Sequence, residues 1–266
     1  MDAETAEDGQ AYPFILEFLN VLAWAFLPAL GFCFLTLMEV LLPQPGERVL
    51  PGDWVLNGSG LVIQGTVIPL ASISVGHLLG LWLKPLEGVL GGTAAAFAMS
   101  FVVLDLLYYG QHRWFHGPGW VLHRTHHGAR RLGAWVCARN SLIAHPLFVY
   151  VIPSAFLALL CQDKTAFFAG AMLTASLDLW RHSAIRWPAW MSPLDRALGW
   201  ILITPVAHHW HHNEGAPRCN FGANLSIWDR LFGTYLAPEK YPERYGIEIN
   251  QGTLQQLLAP AVVGRI

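Results

Sequence analysis

Histidines are concentrated in three short boxes whose spacing suits metal binding. Residues 112–127 alone hold five of the twelve histidines in the chain. The boxes contain the following residues: His112 and His116 (H-x-x-x-H), His123, His126 and His127 (H-x-x-H-H), and His208, His211 and His212 (H-x-x-H-H). On a helix, positions i, i+3 and i+4 share one face, so each box directs its imidazoles towards one point. Neutral imidazole binds iron, copper, zinc and nickel. Eight such ligands predict two ions, or one unusually crowded ion.

A structural explanation of the histidines fits the sequence less well than a metal site. A single histidine in an apolar chain is usually a hydrogen-bonded core residue, but three boxes with ligand spacing are not explained in this way. A structural zinc site usually contains cysteine and is closed by four ligands. The four cysteines of this chain (Cys33, Cys137, Cys161 and Cys219) form no C-x-x-C pair, and we interpret them as free thiols.

The composition predicts a multi-pass membrane protein. Of 266 residues, 54% are hydrophobic and 13% are charged, and the mean hydropathy is +0.38. The net charge is −2 and the basic residues form no stripe, which argues against a nucleic-acid partner. The acidic N-terminus, MDAETAEDGQ, lacks the positive region of a secretory signal.

Apolar stretches long enough to cross a bilayer must position the boxes. The sequence predicts membrane spans at residues 14–42, 61–83 and 89–109. It predicts a helical hairpin formed by residues 142–160 and 165–180, and an interfacial segment at 187–203. A Pro/Gly-rich loop is predicted up to Gly60, and Gly117-Pro118-Gly119 is predicted to break the helix between the first two boxes. The expected fold is an all-α integral membrane protein with about four transmembrane helices and a cytoplasmic, histidine-rich helical cap.

The predicted organisation has one main domain. A polar N-terminal tail covers residues 1–12, N-terminal membrane spans cover 13–88, the histidine-box domain covers 89–246, and a C-terminal tail covers 247–266. All but three of the 16 lysines and arginines lie on the histidine side, the exceptions being Arg48, Lys84 and Lys164. The positive-inside rule therefore predicts that the metal site faces the cytoplasm. We favour a bacterial inner membrane over the endoplasmic reticulum.

Histidine ligands near the mouth of apolar helices suit redox metals that use O₂ to attack a C–H bond. Hydrolysis fits less well, because the chain has neither an H-E-x-x-H helix nor a nucleophile elbow. A metal transporter or sensor is a rival from another class, but the span at residues 61–83 offers only His77 and a few hydroxyls for a relay. A catalytically silent protein with a structural role is a second rival.

The three boxes, in this order, resemble those of the fatty acid hydroxylase/sterol desaturase superfamily. The residues around them agree, and the resemblance covers about residues 100–240: Asp105-Leu-Leu-Tyr108-Tyr109, His145-Pro146, Thr204-Pro205, Asn220-Phe221-Gly222 and IWDRLFGTY at 227–235. The resemblance implies a membrane di-iron oxidase that hydroxylates or desaturates a lipid with O₂ and external electrons.

The resemblance also implies a set of metal ligands. It comprises the eight box histidines and His182, which matches a further ligand between the second and third boxes. Where the fatty acid hydroxylase branch has another histidine, this chain has Asp178. Asp178 is expected to replace that ligand, to bond to His182 or to pair with Arg181. His209 is expected beside the ligands or at the surface, His145 in a structural or supporting position, and Asp105 as a carboxylate that orients a ligand.

These observations predict an O₂-dependent oxidoreductase acting on a hydrophobic, lipid-like or sterol-like substrate. Its cofactors are expected to be two iron ions, with zinc as a substitute. Hydroxylation is favoured over desaturation. The sequence contains no recognisable flavin or haem domain, so we expect a separate electron donor, which would be a reductase, a ferredoxin or a small haem protein.

Overall fold

The first histidine box ends a membrane-length helix, and the other helices are arranged around it. The computed structural model describes residues 26–42, 47–215, 218–237 and 239–258. In these ranges no β-strand occurs, which confirms the predicted all-α class. The helices are α1 (Phe26–Leu41), α2 (Pro51–Trp82), α3 (Thr93–Phe115), α4 (Trp120–His127), α5 (Ile152–Leu160), α6 (Lys164–His182), α7 (Ser192–Leu198), α8 (Pro205–His211), α9 (Ile227–Leu231) and α10 (Thr253–Leu258).

Helices α2 and α3 are long and apolar enough to cross a membrane. Only 11% of the most apolar part of α2 and 28% of that of α3 is buried, which is little for the core helix of a soluble protein. The apolar helices Phe26–Leu41 and His145–Leu160 are shorter. A membrane protein is thus supported, while the number of spans and the cytoplasmic cap stay predictions. Part of the first predicted span, residues 14–25, lies outside the described residues.

Helix α2 begins earlier than the sequence indicates. The sequence predicts a Pro/Gly-rich loop up to Gly60, and this prediction is wrong for residues 51–60 because α2 starts at Pro51. Proline suits the first turn of a helix, and the Asp53 carboxylate accepts the Leu50 backbone N–H at 3.0 Å. Gly60 does not form a turn but lets the helix pack closely against the backbone at Ala138, since a Cβ at Gly60 would lie 2.0 Å from the Ala138 carbonyl oxygen.

Each of the two long helices contains one π-helical turn. One covers Ile63–Val67 in α2 and the other covers Met99–Val103 in α3. Pro69 has no N–H for the carbonyl one turn earlier, which explains the irregular turn in α2. Turns of this kind often occur at functional sites. Gln64 and Ser100, one from each turn, line the same cavity.

The predicted hairpin forms, but its first arm is shorter than expected. Residues 142–151 are turns and a short 3₁₀ segment, and α5 starts only at Ile152. Pro146 and Pro153 lack the N–H that a continuous helix would need there, which accounts for the difference. At the end remote from the histidines, the Leu90 N–H donates to the Leu160 carbonyl and its own carbonyl accepts from Gln162.

The segment after the third box closes the histidine side of the protein. Helix α10 lies against α2, where the Thr253 side chain occupies the space beside Gly52. The Leu142 N–H donates to the Leu257 carbonyl at 2.8 Å, and the Ile247 N–H donates to the His127 carbonyl at 2.9 Å. In the predicted interfacial segment, Trp190 and Trp200 are largely exposed around α7.

Candidate metal centre

Local sequence features bring the boxes together. Helix α3 ends at Phe115, and the Gly117–Gly119 turn reverses the chain into α4, as predicted. Helix α8 begins at Pro205, and the Thr204 hydroxyl caps it by accepting the Ala207 N–H at 3.4 Å. His182 ends α6, which returns to the same side as the boxes.

The nine candidate ligands lie in two groups. Within each group, one possible ligand atom from each ring lies within 4.8 Å of all the others. The five-histidine group consists of His112, His116, His123, His127 and His211, and the four-histidine group consists of His126, His182, His208 and His212. Each H-x-x-H-H box therefore contributes to both groups. Two groups of this size favour two ions over one crowded ion.

Backbone carbonyls fix the protonation of several rings. The Nδ1 atoms of His112, His126 and His211 donate to the carbonyls of Phe221, Arg139 and Cys219 at 2.8, 3.0 and 2.7 Å, respectively. A carbonyl oxygen only accepts, so Nδ1 carries the proton in each ring. The Nε2 atom then carries the lone pair that a metal ion requires.

Asp178 acts in the same way on His182. Its carboxylate lies 3.0 Å from His182 Nδ1 and 2.7 Å from Arg181 Nη2. It belongs to neither histidine group, so two of the three predicted roles of this side chain coexist: it bonds to His182 and pairs with Arg181. The Asp178 backbone carbonyl lies 2.9 Å from the same nitrogen, and together the two acceptors leave the His182 lone pair on Nε2, directed at the four-histidine group.

Two ring nitrogens that face each other in the four-histidine group are placed as a bound cation would require. The Nε2 atoms of His126 and His182 are 3.3 Å apart, and both carry lone pairs because each Nδ1 is a donor. Two lone pairs at this distance repel each other unless a positive charge lies between them. Several other buried ring nitrogens have no hydrogen-bond partner: His116 Nε2, His123 Nδ1, His127 Nε2, His208 Nδ1, His211 Nε2 and both nitrogens of His212. Buried polar atoms of this kind are normally satisfied, and metal ions would satisfy them.

Burial keeps the rings neutral. It lowers the pKa of His211 to about 4 and that of His127 well below the ordinary value, with neighbouring imidazoles adding to the shift of His127. Metal ligands must be deprotonated, so a crowded, buried group of neutral imidazoles is prepared to bind a cation.

Three other sequence candidates lie outside both groups. His209 is buried, and its ring nitrogens contact the Tyr245 hydroxyl at 2.9 Å and the Ser183 carbonyl at 3.0 Å, so of its two predicted positions the structure has the one beside the candidate ligands and not the surface. His145 is buried beside the groups, and its Nε2 has no partner. Asp105 binds the Asn224 and Leu225 N–H groups and the Trp228 indole at 2.7, 3.1 and 2.9 Å, respectively, and makes no hydrogen bond to a ligand ring.

The part that the loop at 219–225 plays in orienting the five-histidine group is not evident from the sequence, although Asn220-Phe221-Gly222 contributes to the family resemblance. Residues 219–225 supply the carbonyls of Cys219 and Phe221 to two ligand rings. The Asp229 carboxylate holds this loop by accepting the N–H groups of Phe221 and Gly222 at 2.8 and 2.7 Å. A backbone carbonyl that accepts a histidine N–H leaves no mark in the sequence. Asp229, which holds the loop, is a sequence clue to this arrangement.

An apolar cavity leads to the histidines. A cavity of about 150 Å³ lies between α2, α3 and α6, lined by residues such as Ile73, Phe168 and Met172. A chamber of about 30 Å³ adjoins it and is lined by His123 of one group and by His126 and His182 of the other. The cavity and the chamber share five lining residues: Gln64, Ile68, Tyr108, Tyr150 and Asp178.

Comparison with known proteins decides the family. The fatty acid hydroxylase family model matches residues 97–234, which is more than half of the chain and includes every candidate ligand. The chain belongs to the fatty acid hydroxylase family. This membership confirms the resemblance seen in the histidine boxes.

Several curated relatives are similar to this family member over the same region. Alkylglycerol monooxygenase of Xenopus tropicalis is 31% identical over 155 residues, covering 56% of this chain and 32% of the relative. Ornithine lipid hydroxylase OlsE of Rhizobium tropici is 31% identical over 170 residues, covering 61% and 49%, respectively. Fatty acid hydroxylase vlmA of Lecanicillium sp is 30% identical over 149 residues, covering 50% and 40%. The chain thus spans a third to a half of the length of these relatives. No solved structure matches.

Proposed function

We propose that this protein is a membrane-bound hydroxylase that uses two iron ions and O₂ to oxidise a lipid or sterol-like substrate. The observation that carries the proposal is the junction of an apolar cavity with a chamber lined by histidines of both groups. An apolar chain in the cavity would have one C–H bond next to the chamber. Relatives named as lipid hydroxylases and monooxygenases support this substrate class.

The donor set fits iron. One ion would be held by the five-histidine group and one by the four-histidine group, and imidazole suits iron as well as zinc. When bound, the irons would supply the redox chemistry by which O₂ oxidises an unactivated C–H bond. Zinc would occupy the same nitrogens without redox activity.

The residues of this chain hold the ligands and exclude water. The carbonyls of Phe221, Cys219 and Arg139, together with the Asp178 carboxylate, orient four ligand rings. The apolar walls of the cavity keep bulk water from the reacting C–H bond. Phe148 and Tyr108 continue this wall into the chamber.

The reaction needs electrons from outside the protein. Hydroxylation converts a C–H bond into C–O–H with one atom of O₂, while the other atom leaves as water after taking up electrons and protons. We propose that a separate reductase, ferredoxin or small haem protein supplies these electrons. The excess of lysine and arginine on the histidine side supports a cytoplasmic site, in a bacterial inner membrane.

Metal analysis of two neighbouring variants tests the proposal. Protein purified in detergent should contain one iron for each histidine group, and His212→Ala should lose iron because His212 belongs to the four-histidine group. His209→Gln should keep both irons, since His209 in the same box contacts Tyr245 and Ser183 instead. The iron-loaded protein should then consume O₂ with a lipid extract and a reductant.

Two outcomes would contradict the proposal. If neither iron nor zinc bound after reconstitution, the histidines would not form a metal centre, and a structural role would take its place. If iron bound but no lipid was oxidised in the presence of a working donor, a metal sensor or transporter would be favoured.

A further inference from the structure

The chamber beside the histidines is polar, although the cavity that leads to it is apolar. Asn140 and His145 both line the chamber, and they are 6% and 4% exposed, respectively. Asn140 Oδ1 and His145 Nε2 have no hydrogen-bond partner in the protein. Neither residue belongs to a histidine group of the metal centre. Two residues with unpartnered polar atoms thus line the chamber in which the substrate would react.

A purely hydrocarbon segment does not suit this chamber. Covering two buried polar atoms with methylene groups would leave them without water and without a partner, which is costly for each atom. A hydroxyl group or a secondary amide both donates and accepts hydrogen bonds. The small volume of the chamber, about 30 Å³, limits the occupant to a group of this size.

We propose that Asn140 and His145 form a subsite for a hydroxyl or amide group of the substrate, next to both metal positions. The hydrocarbon chain of the same molecule then lies in the adjoining cavity, between Ile73, Phe168 and Met172. The substrate is an amphiphile that is oxidised near its polar end, and not in the middle or at the far end of its chain. This last point rests on the proposed hydroxylase function, but the subsite itself does not.

The position of the two residues supports the subsite. Asn140 follows Arg139, whose carbonyl orients His126, and His145 begins the 3₁₀ segment that is followed by Phe148 of the chamber wall. Both residues therefore lie on the segment between the second box and α5, whereas the apolar cavity is formed mainly by α2, α3 and α6. The polar and apolar parts of an amphiphile would contact different elements.

A matched pair of probes tests the subsite without relying on catalysis. The probes are 1-hexadecanol and 1-fluorohexadecane, which have the same chain length but differ in their ability to donate a hydrogen bond. Their dissociation constants would be measured by native mass spectrometry on the iron-loaded protein in detergent. The wild type should prefer the alcohol about tenfold, which corresponds to roughly the net value of one or two hydrogen bonds.

Substitutions test whether Asn140 and His145 cause the preference for 1-hexadecanol over 1-fluorohexadecane. Asn140→Leu and His145→Leu should each reduce the preference for the alcohol at least about threefold while leaving the binding of 1-fluorohexadecane unchanged. His145→Gln, which keeps a polar atom in the chamber, should retain most of the preference. Iron content is measured for every variant, and only variants that keep the wild-type iron content are compared.

The position of oxidation provides a second measurement. With O₂ and a reductant, the wild type should oxidise 1-hexadecanol close to the hydroxyl end, and the Asn140→Leu/His145→Leu protein should spread oxidation along the chain. Equal binding of both probes to the wild type would mean that the chamber holds only water, which would overturn the subsite. A preference that survived in both leucine variants would overturn it as well. Absence of oxidation with an intact binding preference would instead contradict the proposed function alone.

Discussion

At the scale of single residues, the structure distinguishes candidate ligands from another histidine of the same box. His209 and His212 differ by three positions, yet His212 has two unpartnered nitrogens in the four-histidine group, whereas both His209 nitrogens are hydrogen-bonded elsewhere. Spacing alone predicts His208, His211 and His212 as ligands, and the two hydrogen bonds of His209 give a physical reason to leave His209 out of the candidate set.

Asp178 should control metal binding through His182. Asp178→Asn removes the charge from one of the two acceptors of His182 Nδ1 and leaves the Asp178 backbone carbonyl at 2.9 Å, so the iron affinity of the four-histidine group should fall about tenfold. Titration with ferrous iron, followed by Mössbauer spectroscopy, measures this change at one group while the other serves as an internal reference.

A control separates this effect from a loss of stability. Arg181→Gln removes the ion pair with Asp178 but keeps the contact between Asp178 and His182. It should lower the thermal midpoint and retain iron at both groups. Equal iron loss in Arg181→Gln and Asp178→Asn would show that the carboxylate matters only for the ion pair.

His209 should make the fold sensitive to acid. Burial lowers its pKa to about 3, whereas the same residue in the unfolded chain titrates near its ordinary value. Below about pH 6.5 the unfolded chain therefore binds more protons than the native protein, and the free energy of unfolding decreases as the pH falls towards the folded pKa. Between pH 6.5 and 5, His209 alone should cost about 2 kcal/mol.

Denaturation curves of metal-free wild type and His209→Gln check this prediction. The variant lacks the titrating group, so its stability should fall less steeply over the same interval. Parallel pH dependence of the two proteins would assign the acid sensitivity to the ligand histidines, whose pKa values burial also lowers.

At the scale of elements, close contact between α2 and the segment after the second box supports the four-histidine group. Gly60 of α2 contacts the backbone at Ala138, next to Arg139, whose carbonyl orients His126. The Arg139 guanidinium in turn contacts Asp53 of α2 at 2.6 Å and donates to the Thr125 carbonyl at 2.8 Å. A helix of membrane-spanning length thus helps to determine where the ring of the candidate ligand His126 points.

Two glycines of α2 offer a matched test of this contact. Gly60→Ala would place a methyl group 2.0 Å from the Ala138 oxygen, so it should destabilise the protein by about 1–3 kcal/mol and reduce iron at the four-histidine group. Gly58→Ala meets no atom within 4 Å and should be neutral or stabilise the helix by up to about 1 kcal/mol. Thermal unfolding in detergent measures both, and similar midpoints would contradict the contact.

At the scale of the whole molecule, the apolar cavity joins the membrane region to the metal centre. Ala171 lines this cavity, whereas Leu173 on the same helix is exposed. Ala171→Trp should fill the cavity and abolish lipid oxidation and binding of 1-hexadecanol without loss of iron. Leu173→Trp adds the same indole outside the cavity and should preserve all three properties.

Lipid binding and iron content, measured on the same preparations, show whether Ala171→Trp acts by blocking the cavity or by disrupting the fold. If Ala171→Trp lost iron together with lipid oxidation, the cavity would be needed for folding and its role as the substrate path would lose support. If it kept full lipid oxidation, the substrate would have to reach the chamber by another route.

The sequence by itself determined the helical class, the family and the set of candidate ligands. Apolar stretches and helical histidine spacing depend only on local periodicity, so they can be read without knowledge of distant contacts. The same local signals failed at Pro51–Gly60, where glycine allowed close packing instead of forming a loop, and at 142–151, where prolines shortened the first arm of the hairpin.

Only the tertiary structure decided how the ligands are divided and what surrounds them. His126 and His127 are adjacent in the chain but belong to different groups, because they point in different directions from the end of α4. The carbonyls of Phe221 and Cys219, and the unpartnered atoms of Asn140 and His145, have no signal in a single sequence. Their roles depend on contacts between segments far apart in the chain, which local spacing does not record.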